Sequence, residues 1–384
     1  MLEALAIHQT SLGTVGSKLP RVTYCARGLR QNCKASLEIC GSFGVEIAGV
    51  TKATGGNPDI ARLMLGAGIP TLAESRLGNI RRLRDADITA PIMLIRSPTF
   101  AEFTDAAQLA DIFLLSDISA IRGLARACKT LGKSAEIIVM VELGDMREGI
   151  PPAQLAGLIE QMRATEGANI AGIGTNLACN IGILPNAKNM QELAELARKT
   201  EAQTGQLLRY VSAGNSSAIA LLAEGKMPPE INHLRLGESL LLGRETAFGQ
   251  QIEGTRTDCF TLFGQVIETW QRDFQESGPR GLNALGQKVS VAKTGLRKLA
   301  VLNLGAVDVE VSGLTPLTSG VEVMGFSSDH IIADVTDAKD LPVGNEIGFS
   351  LNYHALSTAM TSPYLTQIED APSVPNSEKN GSAT

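Results

Sequence analysis

The chain has 384 residues, 44% hydrophobic and 19% charged, with a formal net charge of −6. No apolar run approaches the roughly 18 residues a membrane span requires. With ten Phe, four Tyr and one Trp and no basic patch, the footprint of a nucleic-acid binder is also missing. The length suits a barrel of about 250 residues with a second domain of roughly 100, acting on small molecules.

Residues 1–20, MLEALAIHQTSLGTVGSKLP, lack the basic start and continuous apolar stretch of a secretion signal and read as a loosely held leader. Cys25, Cys33, Cys40, Cys128, Cys179 and Cys259 are scattered without a C-x-x-C pair, which points to reduced thiols in a cytoplasmic protein. RVTYC at 21–25 is an isolated strand that can pair with the C-terminal part of the chain. From residue 45 to about 239, short apolar runs alternate with amphipathic stretches, the pattern of repeated β/α units around a parallel sheet. The runs are VEIAGVT (45–51), PTLAE (70–74), IMLIR (92–96), IFLLS (112–116), AEIIVMVEL (135–143), IAGIGT (170–175), LRYVSA (208–213) and HLRLGE (233–238). Eight strands close a (β/α)8 barrel of the TIM type, although a doubly wound open sheet gives a similar pattern.

The stretches between them carry apolar residues at three- and four-residue spacing, and Asn57-Pro58 reads as a helix cap followed by a first-turn proline. After about residue 250 the texture changes to glycine-punctuated β-type runs, CFTLFGQVIETW, LAVLNLG, VEVMGF, HIIADV and EIGFSLNYH, with turns at SGPRG, SGLTP and DLPVGN. The expected division is a leader over 1–20, a barrel over 21–248, a mostly β domain over 249–365 and a disordered polar tail over 366–384.

A β/α barrel places its active site at the C-terminal ends of its strands, so the polar residues falling there are the candidates. Lys52 directly follows strand one, where a desolvated amine loses part of its preference for the charged form and can form an imine with an aldehyde. The alternative is a rim lysine paired with Glu74. Asn176 ends strand six. Gly-Asn-Ser-Ser at 214–217 opens a helix after strand seven, where Asn215 lies and Ser216 can cap the helix while free amides meet an anion. Arg235 and Gly237 lie on strand eight and its loop, and Gly237 lets a phosphate approach the backbone. The loops after strands seven and eight are the barrel's usual phosphate position, against the plain reading of a cap and a turn. Arg147, beyond strand five, can clamp a carboxylate, or pair on the surface with Asp145 or Glu148. The four histidines are too dispersed for a metal site, and no metal is expected.

Taken in order, GVTKATGGNP, AESRLGNIRRL, IIVMVELGDMREG, GIGTNLAC, SAGNSSAIALLAEG, LRLGESLLLGRETAFG, SSDHIIADV and NYHALSTAMTSPYL resemble the alanine racemase family of fold type III pyridoxal-phosphate enzymes, and most closely its ornithine racemase-like branch. The resemblance spans about 21–365. It implies that Lys52 is the Schiff-base lysine and one catalytic base, and that Arg235 faces the pyridine nitrogen. A guanidinium cannot accept a proton, so that nitrogen stays unprotonated and simple proton removal and return is favoured. It also implies phosphate contacts from Ser216 and Gly237, and a contact from Arg147 to the cofactor hydroxyl and the substrate carboxylate. Asn176 stands in place of the family's barrel histidine. Asp329 matches an aspartate that reaches the site from the partner subunit of a head-to-tail homodimer.

One departure bears on the reaction. The family's second base is a tyrosine at the start of the C-terminal domain, and SVAKTGLRKLA has none. Racemisation needs proton carriers on both faces of a planar carbanion, or one that reaches both. Tyr353, His354, Cys179 and Asp308 are the candidates. The expected activity is racemisation of a free amino acid, with ornithine or another basic one suggested by the closest branch. Carboxylates that can read such a side chain are Asp145, Asp308 and Asp329, each also readable as structural. Two alternatives remain: an aldolase or dehydratase of the same fold type, whose metal-binding His and Cys residues this sequence lacks, and a non-catalytic cofactor carrier, against which the β domain argues.

Overall fold

The computed structural model describes residues 19–274 and 294–370, with a few positions between these spans. The leader through residue 18, the tail from 371, Ser277 and Arg280 of the SGPRG turn and the start of SVAKTGLRKLA lie outside the described residues. The chain opens with β1 (Arg21–Tyr24) and α1 (Ala26–Gly41). Eight parallel strands then close into a barrel: β2 (Glu46–Val50), β3 (Thr71–Glu74), β4 (Ile92–Leu94), β5 (Ile112–Leu115), β6 (Ala135–Met140), β7 (Ala168–Gly174), β8 (Tyr210–Ser212) and β9 (His233–Leu236). The closed barrel decides against the open sheet. Seven of the eight apolar runs contain their strand whole, and β7 begins two residues before IAGIGT.

The strands are apolar nearly throughout because both faces are covered. One face points inward, where Ala48, Val50, Ala73, Met93, Leu114, Ile138, Met140 and Tyr210 fill the barrel. The other packs under α2 (Pro58–Gly66), α3 (Leu77–Asp85), α4 (Phe103–Leu109), α5 (Ile118–Thr130), α6 (Leu155–Arg163), α7 (Ala187–Thr204), α8 (Ile219–Ala223) and α9 (Glu238–Leu242). Helix starts follow local chemistry: the Asn57 side chain accepts from Asp59 and Ile60 N–H ahead of Pro58. Gly172 is required by closure itself, since a Cβ there would stand 2.0 Å from the Tyr210 carbonyl oxygen.

The second domain is an antiparallel sheet in the order β12 (Leu314–Pro316), β15 (Glu346–Leu351), β10 (Phe260–Phe274), β11 (Gly295–Leu302), β14 (Ile331–Asp334), β13 (Glu322–Phe326). β1 pairs with β10, as the isolated RVTYC run suggests, and ties the start of the chain to this domain.

Two readings of this region are corrected. EIGFSLNYH is not all strand: β15 stops at Leu351, the Asn352 side chain accepts from the Ala355 N–H at 2.8 Å, and α10 (Tyr353–Thr361) begins. The cap turns the chain out of the sheet and places Tyr353 and His354 on a helix. The ordered chain also continues past residue 365, because β16 (Thr366–Glu369) pairs in parallel with β1. α10 packs on the turn that follows β2, where a Cβ on Gly55 would lie 3.3 Å from the Met360 carbonyl oxygen. The second domain thereby meets the barrel mouth. No helix among the described residues is long and apolar enough to cross a membrane.

Candidate active site

A cavity of about 610 Å³ opens at the C-terminal ends of the barrel strands. Its wall includes Lys52, Arg147, Asn176, Cys179, Asn215, Ser216, Arg235, Gly237 and Tyr353. Most of the sequence candidates therefore meet in one space.

Lys52 is the first residue of a short 3-10 turn, Lys52–Thr54, ended by Gly55 and Gly56 at φ 60° and 64°. A side chain on Gly56 would strike Asn79, so the turn needs glycine for both its conformation and its clearance. The ammonium lies 5.8 Å from the Tyr353 ring centroid, and among the described residues it has no hydrogen-bond or ion-pair partner. Glu74 is not its counter-ion. That carboxylate is fully buried and accepts from Ser75 N at 2.7 Å, Arg76 N at 3.3 Å and Thr51 Oγ1 at 3.1 Å. Burial raises its carboxyl despite these bonds, and its work is to brace the turn carrying Lys52.

Arg235 is 4% exposed and has only neutral acceptors: Nη1 donates to Ser212 Oγ, and Nη2 to the Thr175 carbonyl at 2.8 Å. Burial lowers it to about 10, so it remains a cation at neutral pH. Ser212 Oγ lies 2.8 Å from His233 Nδ1. The hydroxyl that accepts from Arg235 thus also shares a hydrogen bond with the imidazole, which burial keeps neutral. Its burial and the neighbouring arginines Arg235 and Arg209 push it down to about 3.

The loops after β8 and β9 face each other as expected, but the cap is Asn215 and not Ser216. Asn215 Oδ1 accepts from Ser217 N at 2.8 Å and its Nδ2 donates to the Leu177 carbonyl at 2.8 Å. Its amide is spent on the fold. Ser216 Oγ is released to accept from Gly237 N at 3.3 Å and Ser239 N at 3.2 Å. A Cβ on Gly237 would meet Val50 at 3.2 Å and the Tyr353 hydroxyl at 3.4 Å, which puts that phenol beside the same cradle. Burial raises the Tyr353 phenol far above its ordinary value.

Across the mouth, Arg147 donates to Glu148 through Nε and Nη2, and to Cys179 Sγ through Nη1 at 2.7 Å. Burial opposes its charge, but Glu148 more than offsets this and holds the guanidinium above its ordinary value. Asp145 is fully buried and collects the N–H groups of Cys179, Asn180 and Ile181 at 3.0–3.4 Å, so it is structural. Asn176 Nδ2 is buried and has no hydrogen-bond partner among the described residues.

Asp145 and three further candidates are not brought to this wall. His354 is exposed on α10. Asp308 Oδ2 accepts from Gly305 N at 2.9 Å, and burial raises its carboxyl, with Asp329 adding to the effect. Asp329 lies in the turn between β13 and β14. Residues that sequence reasoning passed over also line the cavity: Glu148, Glu238, Ser75, Arg96 and Ser116. Ser75, Arg96 and Ser116 lie one or two residues beyond β3, β4 and β5, so applying the strand-end rule to every strand finds them. Burial raises the Glu238 carboxyl, opposed by a hydrogen bond from Thr246.

Residues 26–245 match the alanine racemase N-terminal domain model. The chain is 36% identical over 349 residues to a lysine racemase of Thermotoga maritima, covering 91% of this chain and 98% of that protein. This chain belongs to the alanine racemase family. An ornithine racemase of Acetoanaerobium sticklandii is also 36% identical, over 90% of this chain and 98% of its own length. The alanine racemase of Clostridium difficile 630 shares the fold at a TM-score of 0.69 and 19% identity, covering 88% of this chain and 93% of that one. The span matching the alanine racemase family model contains Lys52, Arg147, Asn176, Cys179, Ser216, Arg235 and Gly237, whereas Asp308, Asp329, Tyr353 and His354 lie beyond it.

Proposed function

We propose that the chain is an amino-acid racemase that works with pyridoxal 5'-phosphate held through Lys52, on an amino acid with a basic side chain. The observation that carries this is a pair of cations without carboxylate partners on one cavity: an unpaired lysine and a buried arginine bonded only to neutral acceptors. A buried guanidinium without a counter-ion is costly, and a lone-pair acceptor in the cavity relieves that cost.

The residues fit the cofactor. The Lys52 amine would hold its aldehyde carbon, and Arg235 would donate to its ring nitrogen. Ser216, the clearance at Gly237 and the Tyr353 hydroxyl would surround its phosphate. The buried, partnerless Asn176 Nδ2 is a further donor for it. When bound, pyridoxal phosphate supplies an electron-poor ring that acidifies the Cα–H of an attached amino acid. Arg235 stays protonated at neutral pH and can only donate, which favours proton removal and return over deeper rearrangement. Lys52 Nζ carries the proton on one face, and Arg147 orients the substrate carboxylate.

The names of the lysine and ornithine racemase relatives suggest a basic side chain, and with Glu148 already held by Arg147, Glu238 is the carboxylate on the cavity wall left to meet it. We infer a head-to-tail homodimer in which Asp308 and Asp329 approach the partner's cavity. Met146, Ile181 and Ile183, exposed beside Arg147 and Cys179, supply apolar surface for it. Free cysteines fit the expected cytoplasmic setting.

The test is incubation of the cofactor-loaded protein with single enantiomers of ornithine, lysine and alanine in deuterated water. Cα deuteration with loss of optical rotation is expected, faster for the basic amino acids by about tenfold or more. Exchange with retained rotation, or new products, would sink the reading.

A further inference from the structure

We propose that Cys179 is the second proton carrier, serving the face of the substrate turned away from Lys52. This rests on the racemase reading and names the residue that completes it.

The cavity separates the candidates. Tyr353 stands on the Lys52 side, its ring 5.8 Å from Nζ and its hydroxyl beside Gly237, and so shares a face with the base already present. His354 is exposed outside the wall, and the Asp308 carboxylate, which the homodimer would bring from the partner subunit, already accepts from the Gly305 N–H of its own chain. Cys179 remains. It follows β7, the sixth strand of the barrel, whereas Lys52 follows the first, so β8 and β9 stand between them and the two enter the cavity from separate parts of its wall.

Its side chain is held in place by both of the loops that flank it. Arg147 Nη1 points at Sγ from 2.7 Å, and a guanidinium is a permanent cation that only donates. The turn bearing Cys179 is fixed by three N–H bonds to the buried Asp145 carboxylate, with Ala178 at φ 50° and Asn180 Nδ2 bonded to the Met146 carbonyl at 2.9 Å. The same aspartate therefore sets the loop of Arg147 and the loop of Cys179 in register. Among the six cysteines Cys179 is the exposed one; Cys33, Cys40, Cys128 and Cys259 are buried, and Cys25 caps α1.

In one direction the Cα–H bond breaks, its electron pair stays with the substrate and Cys179 Sγ gains the proton. An N–H of the Lys52 ammonium then breaks and a new Cα–H forms on the opposite face. The reverse reaction exchanges the roles, and proton exchange with solvent resets both groups without a net change.

Cys179→Ala and Cys179→Ser, loaded with cofactor, are each given pure D- and L-ornithine in deuterated water. Exchange into the enantiomer whose proton faces Lys52 should persist within about threefold, while exchange into the other, and racemisation, fall on the order of a hundredfold or more. Equal rates for both enantiomers in the variants, whether near wild type or jointly reduced, overturn the proposal. Absence of exchange in wild type instead removes the racemase reading. A readout independent of turnover is iodoacetamide labelling followed by peptide mass. Cys179 should react about tenfold or more faster than Cys25, and its advantage should shrink in Arg147→Gln. Equal labelling of Cys179 and Cys25 also overturns it.

Discussion

At the scale of single residues, the chain Arg235–Ser212–His233 shows how a buried cation is kept in place. Each side chain is at most 4% exposed, and the Ser212 hydroxyl links the guanidinium to the imidazole. His233 titrates near 3 in the folded protein against 6.5 as an ordinary histidine. Above 6.5 it is neutral in folded and unfolded chains alike and adds no pH dependence. As pH falls from 6.5 toward 3, the unfolded chain takes up a proton that the folded chain refuses. Stability should therefore drop by up to about 1.4 kcal/mol per pH unit from this group. Urea unfolding of His233→Gln should show a pH slope flatter by about one proton across that window, with some stability lost at pH 7. An unchanged slope would mean that His233 charges in the fold. On the proposed function, Lys52→Ala should lower racemisation by about a thousandfold or more, because it would remove both the covalent anchor and one proton carrier. Chiral chromatography of the products checks this.

At the scale of elements, strand ends and helix caps position the chemistry. Gly237 has ordinary φ, so its reason for being glycine is space. Gly237→Ala should leave the fold intact yet weaken cofactor binding by about tenfold or more, since the added methyl fills the space between Val50 and the Tyr353 hydroxyl. Titration followed by cofactor absorbance measures this. Asn352→Ala removes the cap of α10 and should cost about 1 kcal/mol, read as a lowered Tm. The barrel strands were legible because parallel strands covered on both faces must be apolar runs, and the strand-end rule then located Lys52, Arg147, Asn176, Ser216, Arg235 and Gly237. α10 was not legible. Its first turn continues an apolar β-type run, and only the Asn352 cap marks the change. Likewise, Asn215 and Ser216 are equally good caps by type, and their roles separate only when Gly237 N–H comes within reach of Ser216.

At the scale of the molecule, the second domain reaches its own barrel through α10, while its Asp308 and Asp329 stay off the cavity wall. The homodimer reading predicts a native mass in solution twice that of one chain. Ile183→Lys combined with Met146→Lys should shift it toward the monomer and lower activity; sedimentation analysis decides. A monomer at working concentration would refute the inferred assembly.

The amino-acid sequence by itself determined the β/α alternation, the change to β texture near residue 250, and a lysine, two arginines and a phosphate-type glycine at strand ends, because these follow from local periodicity and chain order. The tertiary structure decided partnership. Glu74 turns from Lys52 to Thr51 and the backbone, Asp145 closes on the Cys179 turn, and Tyr353 comes over Lys52 from the far end of the chain. Whether a charge at the barrel mouth is free or paired depends on which loops meet there. Those loops are separated by tens to hundreds of residues, so closure of the barrel and docking of the second domain set the distances.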